Sequence, residues 1–138
     1  MEKLSPKEIK LVQNSWKLIT PVSQKMGEDF YNRLFSLKPE LIPLFKTQPK
    51  DQAMKLMFML SYLVMRLENL EELQSEIHKL AVRHQNYGAK TEYYKPVGEV
   101  LIATLKHHIG DDWSEATEQA WIKTYDLIAG LMTGGEQQ

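Results

Sequence analysis

The chain has 138 residues, the length of one domain, and its 17 basic and 18 acidic residues give a formal net charge of −1. It contains no basic run that could neutralise phosphates, which argues against nucleic acid as a partner. The absence of cysteine excludes disulfides, thiolate metal sites and cysteine nucleophiles. There is no N-terminal signal segment and no apolar run of the ~18 residues that a membrane span needs, so we expect a soluble, cytoplasmic protein.

Helical patterns run along nearly the whole sequence, and alternating strand patterns and hairpin turns are nearly absent. We therefore predict an all-α domain over residues 1–138, with six to seven helices. The first helix is capped by Ser5, Pro6 and Glu8, and the second covers 20–37. A short turn over 39–45 and a loop over 46–50 follow. Three more helices cover about 51–68, 69–88 and 91–108, and the last begins at 112 or 114 and stops at 134–135.

His84 occupies a position of the 69–88 helix where an apolar residue is expected. Leu73, Ile77, Leu80 and His84 fall at steps of four, three and four, which places them on one face of the helix. A buried imidazole needs a partner, because an unpaired polar ring in a core costs on the order of 1–3 kcal/mol. That partner is either a hydrogen-bonding residue or a metal, and the helical pattern alone leaves both open.

Two more polar residues, Tyr31 and Gln52, lie on predicted buried faces and are candidates to converge with His84. The motifs around these three residues resemble single-domain bacterial globins of the flavohaemoglobin lineage, most closely the Hell's Gate globin type, over nearly the whole chain. The resemblance is carried by F-Y-N-R-L-F at 30–35, K-P-E-L-I-P-L-F at 38–45, Q-A-M-K-L-M at 52–57, V-R-H-Q-N-Y-G at 82–88, V-G-E-V-L at 97–101 and A-W-I-K-T-Y at 120–125.

The resemblance implies a globin fold whose helices sandwich a haem b, bound without a covalent link because no C-x-x-C-H motif exists. It implies that His84 ligates the iron, that Phe45 stacks on the porphyrin, and that Tyr31 and Gln52 face the bound gas. Further contacts with the cofactor are expected from Leu56, Arg83, Tyr94 and Val97. Of these, Arg83 either meets a haem propionate or remains a solvated cation. Gly27 and Ala53 match positions where two globin helices cross closely.

In this lineage a proximal Tyr and a proximal Glu interact with the ligating His and give it imidazolate character, which favours oxygen activation. The resemblance places these two residues at Tyr94 and Glu136. The expected function is binding of dioxygen, nitric oxide, carbon monoxide or sulfide, and conversion of nitric oxide to nitrate with a separate reductase. Non-enzymatic oxygen storage, scavenging or sensing is the alternative, and a haem-free helical interaction module is a third. We expect a monomer or a weak dimer.

Four methionines, Met54, Met57, Met59 and Met65, surround the 51–68 helix. Thioether sulfurs can bind copper, but methionines spread around a helix more often fill gaps in a core. We therefore expect these four side chains to be core residues.

Overall fold

The computed structural model describes residues 3–86 and 90–133, and this part of the chain is built from helices without a strand. The α-helices are α1 (Pro6–Ile19), α2 (Ser23–Leu37), α3 (Pro49–Val64), α4 (Gln74–Asn86), α5 (Tyr94–Ile109) and α6 (Glu115–Met132). Short 3₁₀ helices lie at Thr20–Val22, Pro39–Leu44, Leu67–Leu73, Thr91–Tyr93 and Gly110–Asp112. The all-α prediction is confirmed.

The predicted start of α1 is also confirmed. The Glu8 amide donates to Ser5 Oγ at 3.1 Å, and the Ser5 amide donates to Glu8 Oε1 at 2.7 Å. This reciprocal pair satisfies two of the amides that a helix leaves open at its N-terminus. Val12, Trp16 and Ile19 then form the buried stripe of α1.

Helix α3 differs from the predicted 51–68 at both ends. It begins at Pro49, because a proline in the first turn already has helical φ and needs no amide partner. It ends at Val64, after which Arg66 leaves the helical region with φ −118° and ψ 24°. The side-chain amide of Gln13, on α1, donates to the Val64 carbonyl at 3.0 Å. A long-range contact therefore caps this helix, and the local sequence does not reveal it.

The predicted cap of α4 at 69–72 is wrong. Residues Leu67–Leu73 form a 3₁₀ segment in which Asn69 has non-helical angles, φ −123° and ψ 34°, so the α-helix begins only at Gln74. This segment buries both Leu67 and Leu73. The predicted ends of this helix at Tyr87-Gly88 and of the last helix at Gly134-Gly135 lie outside the described residues.

Helices α2 and α3 cross at a small-residue contact. A Cβ atom on Gly27 would lie 3.0 Å from the Cβ and from the carbonyl oxygen of Ala53. Since real Cβ atoms rarely come so close, the backbones can approach this far only with glycine at position 27. The crossing is of the kind that the resemblance implies for Gly27 and Ala53, and it fixes α3 above the buried face of α2.

The buried side chains form two separate clusters. The larger joins α1, α2, α3, α5 and α6. The smaller gathers Leu63, Leu73, Ile77, Leu80, Ala81 and Met132 around α4 and the end of α6. Within the described ranges, α4 packs against α6 and the preceding 3₁₀ segment but makes no extensive contact with α3. Leu63 of α3 nevertheless belongs to this smaller cluster, so side chains of α3 and α4 meet near the end of α3.

Candidate functional site

Tyr31, on the buried face of α2, stands inside an aromatic cage. Its ring centroid lies 5.0 Å from that of Phe30, 5.8 Å from Phe35 and 5.3 Å from Phe45. Phe30 and Phe45 meet it edge to face, an arrangement in which positive ring edges contact negative ring faces. The cage holds the Tyr31 side chain in one orientation.

The Tyr31 hydroxyl has no hydrogen-bond partner among the residues described. None of these residues has a fully enclosed polar side-chain atom without a partner, so the hydroxyl must open onto accessible space. Burial raises the pKa of Tyr31 to about 12, which keeps the phenol protonated at physiological pH. The site therefore offers a neutral O–H donor that can bind a ligand.

Gln52 lies in the first turns of α3 and is half-buried. Its side-chain amide donates to the hydroxyl of Thr47, in the loop between Phe45 and the helix. This contact ties Gln52 to the segment that also positions Phe45 against Tyr31. The amide carries a second N–H, so a ligand can be bound without losing the Thr47 contact.

His84 lies on α4 and is half-buried, with Nδ1 2.9 Å from the carbonyl oxygen of Leu80. A carbonyl can only accept, so Nδ1 carries the proton and donates it. In that tautomer Nε2 bears the lone pair with which a neutral imidazole ligates a metal. The bond to Leu80 also fixes the plane of the ring and raises its basicity, as is usual for metal-binding histidines.

Tyr94 begins α5 and packs against the smaller apolar cluster, which includes Leu80 and Ala81 on α4. Its carbonyl accepts a 2.6 Å hydrogen bond from the Tyr125 hydroxyl of α6. This brings Tyr94 to the side of the molecule where His84 lies. The expected partner Glu136 lies outside the described residues.

The remaining expected cofactor contacts fall into two groups. Leu56 and Val97, like Phe45, are apolar yet only half-buried, although each packs against the larger cluster. Arg83 is exposed on α4, one residue before His84. The half-buried apolar side chains of Leu56, Val97 and Phe45 suit a planar apolar group. A cation next to His84 in the sequence suits acidic substituents on the edge of that group.

These features fit a haem. The His84 Nε2 is a group that can ligate iron, and the Tyr31 hydroxyl is a donor that can bind a small polar ligand. The described residues contain no group of three His, Asp or Glu side chains that could hold a metal ion by themselves. A single imidazole is sufficient when a porphyrin supplies the other four ligands.

Sequence reasoning missed several residues of the site. Phe35 lies one helical turn after Tyr31, a spacing that could have indicated the cage. The contact between Tyr125 and Tyr94 has no local signal, because 31 residues separate the two. The ion pair of His108 has no local signal either: its Nε2 lies 2.9 Å from Asp29 Oδ2, which also accepts from Arg33 Nε at 2.9 Å.

The prediction that all four methionines of the 51–68 region fill the core is wrong. Met57 is buried, but Met54 and Met65 are 57% and 47% exposed. They lie on the side of α3 that faces away from the larger cluster.

Among the helices that the structure describes, none is long and apolar enough to cross a membrane.

A family model described as Globin matches residues 28–132, more than half of the chain. Neuroglobin-1 of Oncorhynchus mykiss is 30% identical over 149 residues, covering 98% of this chain and 94% of the relative. Neuroglobin of Danio rerio is 29% identical with the same coverage.

Two solved structures are also similar. An engineered carbene transferase, derived from a candidate nitric oxide dioxygenase of Rhodothermus marinus, has a TM-score of 0.87 and 29% identity, with 99% of this chain and 95% of that chain covered. A bacterial globin from Campylobacter jejuni has a TM-score of 0.80 and 27% identity, with 91% of each chain covered. The chain belongs to the globin family, which implies that it binds haem and, through haem, small ligands.

Proposed function

We propose that this chain is a cytoplasmic single-domain globin of the flavohaemoglobin lineage, near the Hell's Gate type, that converts nitric oxide and dioxygen to nitrate. It would bind haem b without a covalent link, through His84, and would take dioxygen, nitric oxide, carbon monoxide or sulfide on the opposite face. The observation that carries this proposal is the Tyr31 hydroxyl, an accessible donor on a buried side chain that no described protein group satisfies.

The distal residues would retain a ligand and orient it. O–H and N–H donors would stabilise a small ligand on which negative charge develops. Tyr31 would donate its phenolic proton and Gln52 its second amide proton. Hydrogen bonds to charged acceptors contribute about 1.5–3 kcal/mol each, and every 1.4 kcal/mol is about tenfold in affinity. The aromatic cage of Tyr31 keeps its donor in place before the ligand arrives, so little ordering is needed on binding.

The proximal residues would set the character of the imidazole. The Leu80 carbonyl accepts a hydrogen bond from His84 Nδ1–H, and this bond strengthens the electron donation of Nε2. Tyr94, held by Tyr125, would be a positioning residue beside this ring, with Glu136 as its expected partner. This support is what distinguishes an oxygen-activating site from one that only stores the gas.

The overall reaction requires one electron per turnover. Nitric oxide and dioxygen combine so that both oxygen atoms enter nitrate. Haem held by His84 would supply the one-electron chemistry of an iron centre. We propose that a separate reductase returns this electron. The protein's residues would bind, orient and shield the reacting gases.

The test is nitrate yield with a controlled electron supply. Purified protein reconstituted with haem is mixed with dioxygen, nitric oxide and an NADPH-driven reducing system, and nitrate is measured against an equal concentration of free haem. We expect sustained nitrate formation well above free haem, reduced in Tyr31→Phe. Nitrate formation no faster than with free haem, in a protein with a normal Soret band, would contradict the dioxygenase and leave oxygen storage, scavenging or sensing.

A further inference from the structure

Helix α3 carries an apolar stripe on its outer side. Met54, Phe58 and Met65 are 57%, 67% and 47% exposed, and their spacing of four and seven residues places them on one side of the helix. Beside the stripe is a shallow groove of about 250 Å³ whose floor includes Trp16 and Met57. Large apolar side chains grouped on a surface usually mark a binding site.

Three cations and one carboxylate, Asp51, lie near this stripe, so cations predominate there. Lys50 lies one turn before Met54, Lys55 follows Met54, and both are exposed and form no ion pair within the described ranges. Arg66, at the other end, is held over the Tyr62 ring at 4.0 Å and donates to the Tyr62 carbonyl at 3.2 Å. We call Met54, Phe58 and Met65, together with Lys50, Lys55 and Arg66, the outer face of α3.

Basic residues are also concentrated in the first part of the sequence, which contains α3. Residues 1–66 contain eleven Lys and Arg against six Asp and Glu, whereas residues 67–138 contain six against twelve. The near-zero net charge therefore hides a basic segment of the sequence that contains α3. Because α1 packs on α6 and α2 on α5, the two segments are not separate halves of the molecule, and the attraction for an acidic partner comes from the cations of the outer face of α3 itself.

We propose that the outer face of α3 docks the acidic surface of a one-electron donor protein. This inference rests on the proposed function, which requires an external reductant. The opposite side of the same helix carries Gln52 and Leu56, two residues of the candidate site, so a docked donor lies about one helix diameter, ~10 Å, from them. One electron would leave the reduced centre of the donor and convert ferric iron to ferrous, with no proton or group transferred.

The size of the face favours a transient partner of this kind over a second copy of the chain. Three half-exposed side chains offer on the order of a few hundred Å², while a stable interface buries about 800 Å² on each partner. A symmetric dimer through this face would also bring Lys50 and Lys55 towards the same cations of the other copy. Weak redox encounters, by contrast, use small interfaces and opposite charges.

The test measures docking separately from chemistry. An acidic plant-type [2Fe–2S] ferredoxin serves as the probe, titrated into haem-loaded protein by calorimetry at low and high salt. The variants are Lys50→Glu/Lys55→Glu and Phe58→Ser, and the matched control is Lys79→Glu/Lys106→Glu, which reverses two exposed cations outside the outer face of α3. Reduction of the ferric protein by ferredoxin, and separately by dithionite, is followed in each.

We expect the charge reversal to weaken ferredoxin binding at least about tenfold and Phe58→Ser about threefold, with the control within about twofold. Dithionite reduction and carbon monoxide binding should be unchanged, which shows that the pocket is intact. Equal ferredoxin binding by all variants, or no saturable binding at low salt, overturns the docking proposal while leaving the pocket function standing. Self-association that is lost in Phe58→Ser, or lysine-dependent binding to phosphatidylglycerol vesicles without ferredoxin binding, also overturns it.

Discussion

The Tyr125 hydroxyl donates a 2.6 Å hydrogen bond to the carbonyl of Tyr94, and through it α6 holds the first residue of α5. The Tyr125 ring lies directly over Gly98, one turn further along α5. Burial, followed by the nearby Tyr94 and Asp126, raises the pKa of Tyr125, so its hydroxyl remains a donor throughout the physiological range. The position of Tyr94 beside α4 thus depends on a residue from another helix.

Gly98→Ala should destabilise the protein by about 1–3 kcal/mol, the usual cost of overpacking. The added Cβ would lie 2.8 Å from Tyr125 Cδ2, so we expect the ring to move and its hydrogen bond to the Tyr94 carbonyl to weaken. Chemical denaturation measures the free energy of unfolding, and the Soret position reports on the pocket. Gly130→Ala is the control, because a Cβ there meets no atom within 4 Å.

The double variant Gly98→Ala/Tyr125→Leu separates packing from hydrogen bonding. Tyr125→Leu alone removes the donor and should cost about 1–3 kcal/mol, because the hydrogen bond to the Tyr94 carbonyl is lost. The smaller side chain makes room for the new methyl group, so the double variant should be less destabilised than the sum of the singles. Additive effects would show that the ring does not limit this site.

Local patterns predicted most of the fold. The capping box of Ser5 and Glu8 and the buried stripe on α1 need only neighbours in sequence, so they could be read directly. The end of α3 could not, because the Gln13 amide that caps Val64 comes from a helix 51 residues earlier. Asn69 breaks the next helix for a similar reason, since burial of Leu67 and Leu73 outweighs the local cap pattern.

The candidate site also has features that the local sequence predicts and features that depend on tertiary packing. The stripe that led to His84 is local, and its residues on α4 are buried up to Leu80 as predicted. The partner of its Nδ1 is the carbonyl four residues earlier, which is also local. The exposure of Met54 and Met65 was mispredicted because composition does not say which side of a helix remains uncovered. Tertiary packing alone decides that.

Tyr31→Phe should speed dioxygen release roughly tenfold or more, because one charge-assisted hydrogen bond contributes about 1.5–3 kcal/mol. The cage of Phe30, Phe35 and Phe45 should hold the phenylalanine ring in place, so the change isolates the hydroxyl. In the wild type the release rate should show no Tyr31 ionisation between pH 6 and 9, since the phenol has a pKa of about 12. Stopped-flow release rates of the two proteins test both statements, and an unchanged rate in Tyr31→Phe would contradict the distal role.

His84→Leu should abolish stable haem retention, because the chain then loses the imidazole that the Leu80 carbonyl orients. His78→Leu is the matched control, since His78 lies on the same helix but is exposed. The ratio of Soret to protein absorbance after gel filtration measures retention. We expect the control to match the wild type and His84→Leu to elute nearly colourless, while circular dichroism confirms that both remain helical.

Asp29→Asn should lower stability at neutral pH by about 1 kcal/mol, and the effect should vanish in acid. Burial opposes ionisation of Asp29, but hydrogen bonds from His108 and Arg33 outweigh it and hold its pKa below the ordinary 3.8. A carboxylate with a lowered folded-state pKa contributes stability above 3.8 and loses it as the pH falls further. Urea unfolding at pH 6, 4.5 and 3 should therefore show a difference in the free energy of unfolding between the two proteins. This difference should disappear only at the lowest pH. A stability difference that is the same at all three pH values would mean that Asp29 contributes through packing and not through its charge. Asp111→Asn is the control, because Asp111 lies in an exposed turn and has no ion pair among the described residues.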